Sequence, residues 1–217
     1  ALIDRARNKA LLAMKEFDDF PEYLETINSE MFRCKEILKG LLEFARPHSG
    51  TFRELDVNEL LKEVILLVNH KAVRLKHHIE LRLNRDLPKI YADPGSLRQL
   101  FMNIIINSIY YTPERGSITI STGPDWDSQN DTPSPCRIKV SVSDSGAGIP
   151  PDILDKVFNP FFTTKPVGEG TGLGLAISHK IVEEHGGTID VESEVDHGTT
   201  FIISLPANAR DDKGTCS

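Results

Sequence analysis

The chain has 217 residues, a formal charge of −7 and 39% hydrophobic residues, enough for a packed core and opposed to the basic face that nucleic-acid binding requires. Its three cysteines, Cys34, Cys136 and Cys216, include no CxxC pair, so neither a zinc site nor a disulfide framework is indicated and a reducing, cytoplasmic setting is expected. The longest aliphatic runs, 64–68 and 104–106, fall far below the roughly 18 residues of a membrane span.

The first 46 residues have helical spacing. Ile3, Ala6, Ala10, Ala13 and Phe17 step by three and four, with Leu11, Leu12 and Met14 widening the stripe. Asp18-Asp19-Phe20-Pro21 interrupts, and Pro21 suits the first turn of a second helix. That helix carries Leu24, Ile27, Met31, Cys34, Leu38, Leu41 and Ala45, an a/d seam ended by Arg46-Pro47. A helical hairpin cannot enclose its own seam. Either it packs on the rest of the chain or, as expected here, residues 1–46 pair with a second copy in a dimeric four-helix bundle.

After Pro47 the period changes. Thr51–Val57 reads as a strand, and Asp56 or Asn58 can cap a helix over Val57–His70. Ile79–Leu83 alternates as a half-buried strand, Tyr91 and Ala92 form a short one, and Asp93-Pro94 opens a helix to Tyr111. Strands are expected over Ser117–Ser121 and Arg137–Ser143, flanking a polar loop, Gly123–Pro135. Gly172–His185 reads as a helix, followed by strands Thr188–Glu192 and Thr200–Leu205. His179, His185 and His197 read as helix-surface or loop residues. The class is α+β: a helical hairpin followed by a largely antiparallel or mixed sheet with helices on one face.

Chemistry concentrates between residues 99 and 178. Asn103 and Asn107 lie one turn apart on an otherwise apolar helix. Such amides either bond neighbouring backbone or offer an oxygen to Mg²⁺, which takes hard ligands shared with substrate phosphates. Asp144 ends a strand before Gly146 and Gly148. It either caps the turn or accepts a hydrogen bond from an exocyclic amine, with a flat ring against the side-chain-free backbone. Phe158, Phe161 and Phe162 form either a satellite core or an anchor for the glycine-rich segment downstream, and Lys165 is either solvated or a screen for phosphate charge. In that segment Gly168, Gly170, Gly172 and Gly174 alternate in GEGTGLGLAIS. No Lys-Ser/Thr follows, as a P-loop requires, and no apolar strand precedes, as a dinucleotide turn requires.

The order Asn…Asn, Asp-x-Gly-x-Gly, phenylalanine cluster, Gly-x-Gly-x-Gly resembles the catalytic region of sensor histidine kinases, within the GHKL (Bergerat-fold) ATPase superfamily. Glu30–Pro47 is similar to the second helix of that family's dimerisation and phosphotransfer hairpin. The resemblance implies an α/β sandwich that binds ATP and Mg²⁺. Asn107 matches the metal ligand, Asn103 its companion, and Asp144 the residue that reads the adenine amine beside Gly146 and Gly148. Tyr110, Tyr111, Ile149, Phe158, Phe162 and Lys165 join the implied nucleotide-binding set. Gly170, Thr171, Gly172, Leu173 and Gly174 match the ATP lid, whose N–H groups face the phosphates.

The implied domains are a partial hairpin at 1–47, a catalytic domain at 51–206 and a flexible tail at 207–217. Superfamily hydrolases of the gyrase and MutL kind carry a glutamate, the general base for water, where this chain has Asn103, an amide without useful basicity. Donation to a histidine, and from there to the aspartate of a response-regulator receiver domain, is therefore expected. The alternatives are a non-catalytic nucleotide-gated interaction module and a GHKL ATPase. No histidine precedes His48. No catalytic residue is therefore assigned, and the chain is expected to start just past the acceptor segment and not to label itself. Any tie to the inner membrane would run through a segment outside this chain.

Overall fold

The structure, a computed structural model, describes residues 20–45, 50–125, 137–166 and 169–207. The first-helix seam from Ile3 to Phe17, the Arg46-Pro47 stop, His48, Gly168, most of the 123–135 loop and the tail beyond Ala207 lie outside the described residues. The chain divides into two units, one of residues 1–46 and 163–171, the other of residues 47–162 and 172–217.

In the first unit, helix α1 spans Phe20–Ala45. It begins at Phe20-Pro21, where a proline costs no hydrogen bond, and Glu22 in the first turn complements the helix dipole. Of the seam residues, Ile27, Met31 and Leu38 are more than half exposed, and Cys34 and Leu41 are exposed too.

The second unit is a two-layer α/β sandwich. Its elements are β1 (Arg53–Leu55), α2 (Val57–Arg74), β2 (His78–Arg82), β3 (Ile90–Ala92), α3 (Pro94–Tyr111), β4 (Ser117–Asp125), β5 (Arg137–Asp144), α4 (Pro151–Leu154), α5 (Gly174–Glu184), β6 (Thr188–Glu194) and β7 (Gly198–Pro206). Five strands form one sheet in the order β2-β4-β5-β7-β6, parallel between β2 and β4 and antiparallel elsewhere; β1 and β3 pair separately. Period-two alternation puts Ile118, Ile120, Ile138, Val140, Val142, Phe201 and Ile203 into the core. Helix α3 packs against α2, α5 and β5, and its Leu97, Leu100, Phe101, Ile104, Ile105 and Ile109 are fully buried.

Local cap chemistry sets the helix starts. Asp56 Oδ1 accepts the N–H groups of Asn58 at 2.8 Å and Glu59 at 3.3 Å, so Asp56 caps α2. Asp93 accepts those of Gly95 and Ser96 together with the Ser96 hydroxyl at 2.6 Å. Burial raises the Asp93 carboxyl, but these donors outweigh it and the pKa is lowered.

Strand β1 is confined to Arg53–Leu55, because Val57 already belongs to α2, and helices α2 and α5, strand β4 and the residue His185 also differ from their sequence expectations. Helix α2 runs four residues further, because Ala72 continues the buried stripe of Val64 and Val68. Strand β4 continues through Gly123-Pro124 to Asp125, pairing there with Arg137–Lys139. β2 covers β4 only as far as Ser121, so Pro124 faces an open edge where its missing N–H costs nothing. Helix α5 starts at Gly174 because Gly172 has φ +68. His185, expected at the surface, is buried. Its Nε2 accepts the Asp93 N–H at 3.1 Å, so Nδ1 carries the proton and donates to the Ile181 carbonyl at 2.7 Å, with Phe52 stacked on the ring.

Candidate nucleotide site

Helix α3 organises the site. Asn103 and Asn107 are both half-buried and one turn apart. Asn103 Nδ2 donates to the Gly174 carbonyl at 3.0 Å, across 71 residues of chain, fastening α3 to the first turn of α5. The Ser178 hydroxyl donates to the same carbonyl at 2.9 Å. Of the two options for these amides, Asn103 thus takes the structural one. Among the described residues no group of three His, Cys, Asp or Glu could hold a metal on its own.

The other end of α3 meets the end of β5. Asp144 is 7% exposed, and its Oδ1 accepts the N–H groups of Gly146 at 3.0 Å and Thr199 at 3.3 Å. Among the described residues no donor of regular geometry takes Oδ2. Burial pushes the carboxyl up, opposed by the Gly146 N–H, the Ser108 hydroxyl and the Thr199 N–H. Ser108 is 1% exposed, and its Oγ completes no regular hydrogen bond although it lies close enough to affect Asp144. A buried hydroxyl left so costs about 1–3 kcal/mol.

A carboxylate with one oxygen saturated and the other unclaimed, at the mouth of a strand, is suited to a neutral or cationic N–H donor. The exocyclic amine of adenine fits that requirement. Ser108 and Thr199 were not singled out from the sequence. A serine within a helix and a threonine within a strand are unremarkable there, and only the fold brings them to Asp144.

The glycines of the second unit have separate reasons. A Cβ on Gly146 would lie 2.7 Å from the Tyr111 carbonyl and 2.8 Å from Asp144 Oδ1. Gly148, with φ +72, runs against the Glu194 carbonyl, so its side-chain-free face meets protein. Next to it, the Ile149 N–H donates to Ser193 Oγ at 2.8 Å. Gly172 abuts the backbone of Phe161, whose own φ is +66. Leu173 is buried beside it, and a Cβ on Gly174 would have ordinary room, 3.8 Å from Asn103 Cγ.

The aromatic residues divide. Phe158 belongs to a core cluster, 6.5 Å from Phe201 and 5.5 Å from His179, whereas Phe161 is exposed and Phe162 half-buried. Tyr110 and Tyr111 meet edge to face at 5.0 Å. Lys165, Gly170 and Thr171 belong to the first unit. There the Thr163 hydroxyl accepts the Lys165 N–H at 3.1 Å, and a Cβ on Gly170 would touch Thr163 Oγ1 and Lys165 Cδ at 3.0 Å.

A five-stranded mixed sheet under helices, with paired amides on the central helix and a buried acid at the adjoining strand end, defines a sandwich of the Bergerat (GHKL) type. The chain belongs to the histidine kinase-, DNA gyrase B-, and HSP90-like ATPase family, whose model matches residues 92–209. Its similarities point to the sensor histidine kinases within that family. Sensor histidine kinase ZraS of Escherichia coli (strain K12) is 38% identical over 184 residues, covering 85% of this chain and 37% of that protein. The catalytic domain of histidine kinase ThkA is 34% identical with a TM-score of 0.63, over 72% of this chain and 96% of that one. ThkA in complex with response regulator protein TrrA gives a TM-score of 0.69 at 28% identity, over 95% of this chain and 60% of that one. Full-length ShkA in complex with AMPPNP also gives 0.69, at 26% identity, over 89% of this chain and 39% of that one. The chain spans 37%, 24% and 29% of three curated relatives. Among the described residues no helix is long and apolar enough to cross a membrane.

Proposed function

We propose that this chain is the ATP-binding catalytic region of a sensor histidine kinase, which phosphorylates a histidine on the dimerisation helix and passes the phosphoryl group to a receiver-domain aspartate. The observation that carries this reading is Asp144: a buried carboxylate with Oδ1 saturated by two backbone N–H groups and Oδ2 left for an incoming amine. Full-length ShkA with AMPPNP and ThkA with its response regulator are precedents in similar proteins for the nucleotide and the partner.

Bound Mg-ATP supplies the transferable phosphoryl group, and the metal screens its charge. Asp144 accepts the adenine amine, beside Gly146, Gly148, Ile149, Tyr110 and Tyr111. Asn107 would hold Mg²⁺ through its amide oxygen, and the metal would supply charge screening for the phosphates. Asn103, by fixing the first carbonyl of α5, orients the N–H groups at that helix start toward the phosphates. Gly172, Leu173 and Gly174, with Phe158 and Phe162 at the base, form the second unit's share of the lid, and Lys165, Gly170 and Thr171 carry within the first unit the roles that the family resemblance implies. Catalysis of this kind is positioning and charge screening more than bond-making by the protein. An amide at position 103 cannot activate water, which preserves the phosphoryl group for a histidine.

In this proposal the acceptor histidine lies outside the chain, and residues 1–46 join two copies through the apolar seam. The division into a hairpin at 1–47 and a catalytic domain at 51–206 belongs to the same reading. The setting is cytoplasmic, with any membrane tie made elsewhere in the intact protein. Calorimetry of the 217-residue chain with ATP, with and without Mg²⁺, tests the proposal, with γ-labelled ATP added to the same preparation. Mg-dependent ATP binding without steady ADP release is expected, and transfer to histidine once the chain is extended N-terminally. Absence of ATP binding refutes the site; binding without transfer in the extended chain leaves an interaction module.

A further inference from the structure

Helix α5 is tied to α3 at both of its ends. At its start the Gly174 carbonyl accepts from Asn103 Nδ2 at 3.0 Å. At its far end His185, the residue that closes the helix, accepts the Asp93 N–H on Nε2 at 3.1 Å. The two spans match: 174 to 185 advances about 16 Å along α5, and 93 to 103 about 15 Å along α3, at about 1.5 Å per residue. The helices therefore run antiparallel, and α5 can neither slide nor tilt along α3 while both ties hold. The second tie requires one protonation state. Nδ1 donates to the Ile181 carbonyl at 2.7 Å, so Nε2 presents a lone pair. A proton on Nε2 would face the Asp93 N–H, donor against donor. The Asp93 carboxylate is already engaged with the N–H groups of Gly95 and Ser96, whose helix it caps.

We propose that His185 is a positioning residue for the phosphate end of the nucleotide site: as the neutral Nδ1–H tautomer it holds α5 in register with α3, and proton uptake on Nε2 releases that hold. The inference rests on the reading in which the N–H groups at the start of α5 face the phosphates. His185 touches no nucleotide there; it acts along the length of a rigid helix. The base end of the site, at Asp144, hangs on the other end of α3 and on β5. A loosened α5 therefore costs the triphosphate and spares the nucleoside. Among the described residues, the titratable and charged groups on the elements around the ring are few. They are Asp93 on α3, Tyr91 on β3, Arg53 beside Phe52, Glu183 and Glu184 on α5, and Arg137, which donates to the Gly186 carbonyl at 3.4 Å. Substitution at 185 alters none of them, so their titration is common to parent and variants.

The test compares two variants of the 217-residue chain. His185→Gln keeps an acceptor where Nε2 lies and takes up no proton. His185→Asn keeps the donor toward Ile181 and gives up the acceptor; both lose the Phe52 stack alike. Mg-ATP affinity is read by calorimetry, adenosine affinity by NMR titration, and their ratio is followed from about pH 8 to about pH 6, across the ordinary histidine range. Titration of Asp144 acts on the shared adenine amine and cancels in the ratio. At the alkaline end His185→Asn is expected to lower the ratio about five- to tenfold, the worth of one ordinary hydrogen bond, and His185→Gln to keep it. In acid the parent ratio falls toward that of His185→Asn, beyond the fall that protonation of ATP itself imposes on His185→Gln. An unchanged ratio in His185→Asn, equal loss of ATP and adenosine, His185→Gln as weak as His185→Asn, the same pH course in parent and His185→Gln, or failure of both variants to fold each overturns the proposal. A parent that binds Mg-ATP but no adenosine also overturns it, because the two ends of the site are then inseparable. A ratio indifferent to position 185, beside an Asp144→Asn that loses its ATP preference, removes His185 and leaves the pocket standing. A parent chain that binds no ATP removes both.

Discussion

Replacing Asp144 by asparagine separates binding from folding. The new amide oxygen can accept the Gly146 and Thr199 N–H groups as Oδ1 does, so the strand end should keep its shape. Its NH₂ then stands where Oδ2 stood, a donor facing the donor amine of adenine. Losing a hydrogen bond to a charged acceptor costs about 1.5–3 kcal/mol, roughly a 10- to 150-fold weaker ATP affinity. Stability should move the other way. Burial raises the Asp144 pKa, so above that pKa the native state carries the cost of a buried charge. As pH falls through the raised folded value toward the unfolded one, proton uptake relieves that cost in the parent and has no counterpart in the variant. At neutral pH the variant is therefore expected to melt no lower than the parent, with the gap narrowing in acid. ATP binding by the parent should weaken as pH falls through the same raised pKa, because only the ionised form accepts twice on one side and once on the other. GTP, whose 6-oxo group meets a donor in the variant, should gain. Calorimetry of ATP and GTP against pH, with thermal melts on the same samples, reads all of this. Unchanged ATP affinity, or an equal loss for ATP and GTP, refutes the assignment of Asp144 to the amine.

Asn107→Ala should abolish the Mg-dependent part of ATP affinity, visible as identical titrations with Mg²⁺ and with a chelator; a retained difference counts against the metal role. The lid glycines should part company. Gly172→Ala puts a Cβ at φ +68 and 2.6 Å from the Phe161 carbonyl oxygen, a loss of at least about 1–2 kcal/mol in denaturant unfolding. Gly174→Ala has ordinary room at the first position of α5 and should change stability by no more than about 0.5 kcal/mol. Met31→Glu places a charge on the open seam of α1 and should convert a dimer to a monomer by light scattering; an unchanged mass refutes pairing through that seam.

What the sequence makes legible is chemistry that closes within a few residues. Asp93-Pro94 marks the start of α3 to the residue because a cap and its N–H donors are neighbours in the chain. The pair Asn103 and Asn107 announces a shared helix face by spacing alone. What it hides is whatever depends on a partner far along the chain. Serine at 108 is an indifferent helix residue until β5 brings Asp144 beside it, and His185 is one more surface imidazole until its ring meets the Asp93 N–H. Strand β4 could not be followed past Ser121, since the licence for Pro124 is the shortness of β2. The alternating glycines show the same limit most clearly. Their regular spacing suggests one purpose, yet Gly172 answers a left-handed turn against Phe161, whereas Gly174 leaves ordinary room for a Cβ beside Asn103. The site still reads as a unit because so much of it hangs on one helix. From Asn103 to Tyr111 the axis of α3 advances about 12 Å, at about 1.5 Å per residue. One end fastens the helix start that would face phosphates, and the other closes the pocket that would hold a base. A rigid rod spanning both ends of a nucleotide fixes their separation without needing the lid. If the proposed site holds, the base and the metal would register with each other through the two ends of α3.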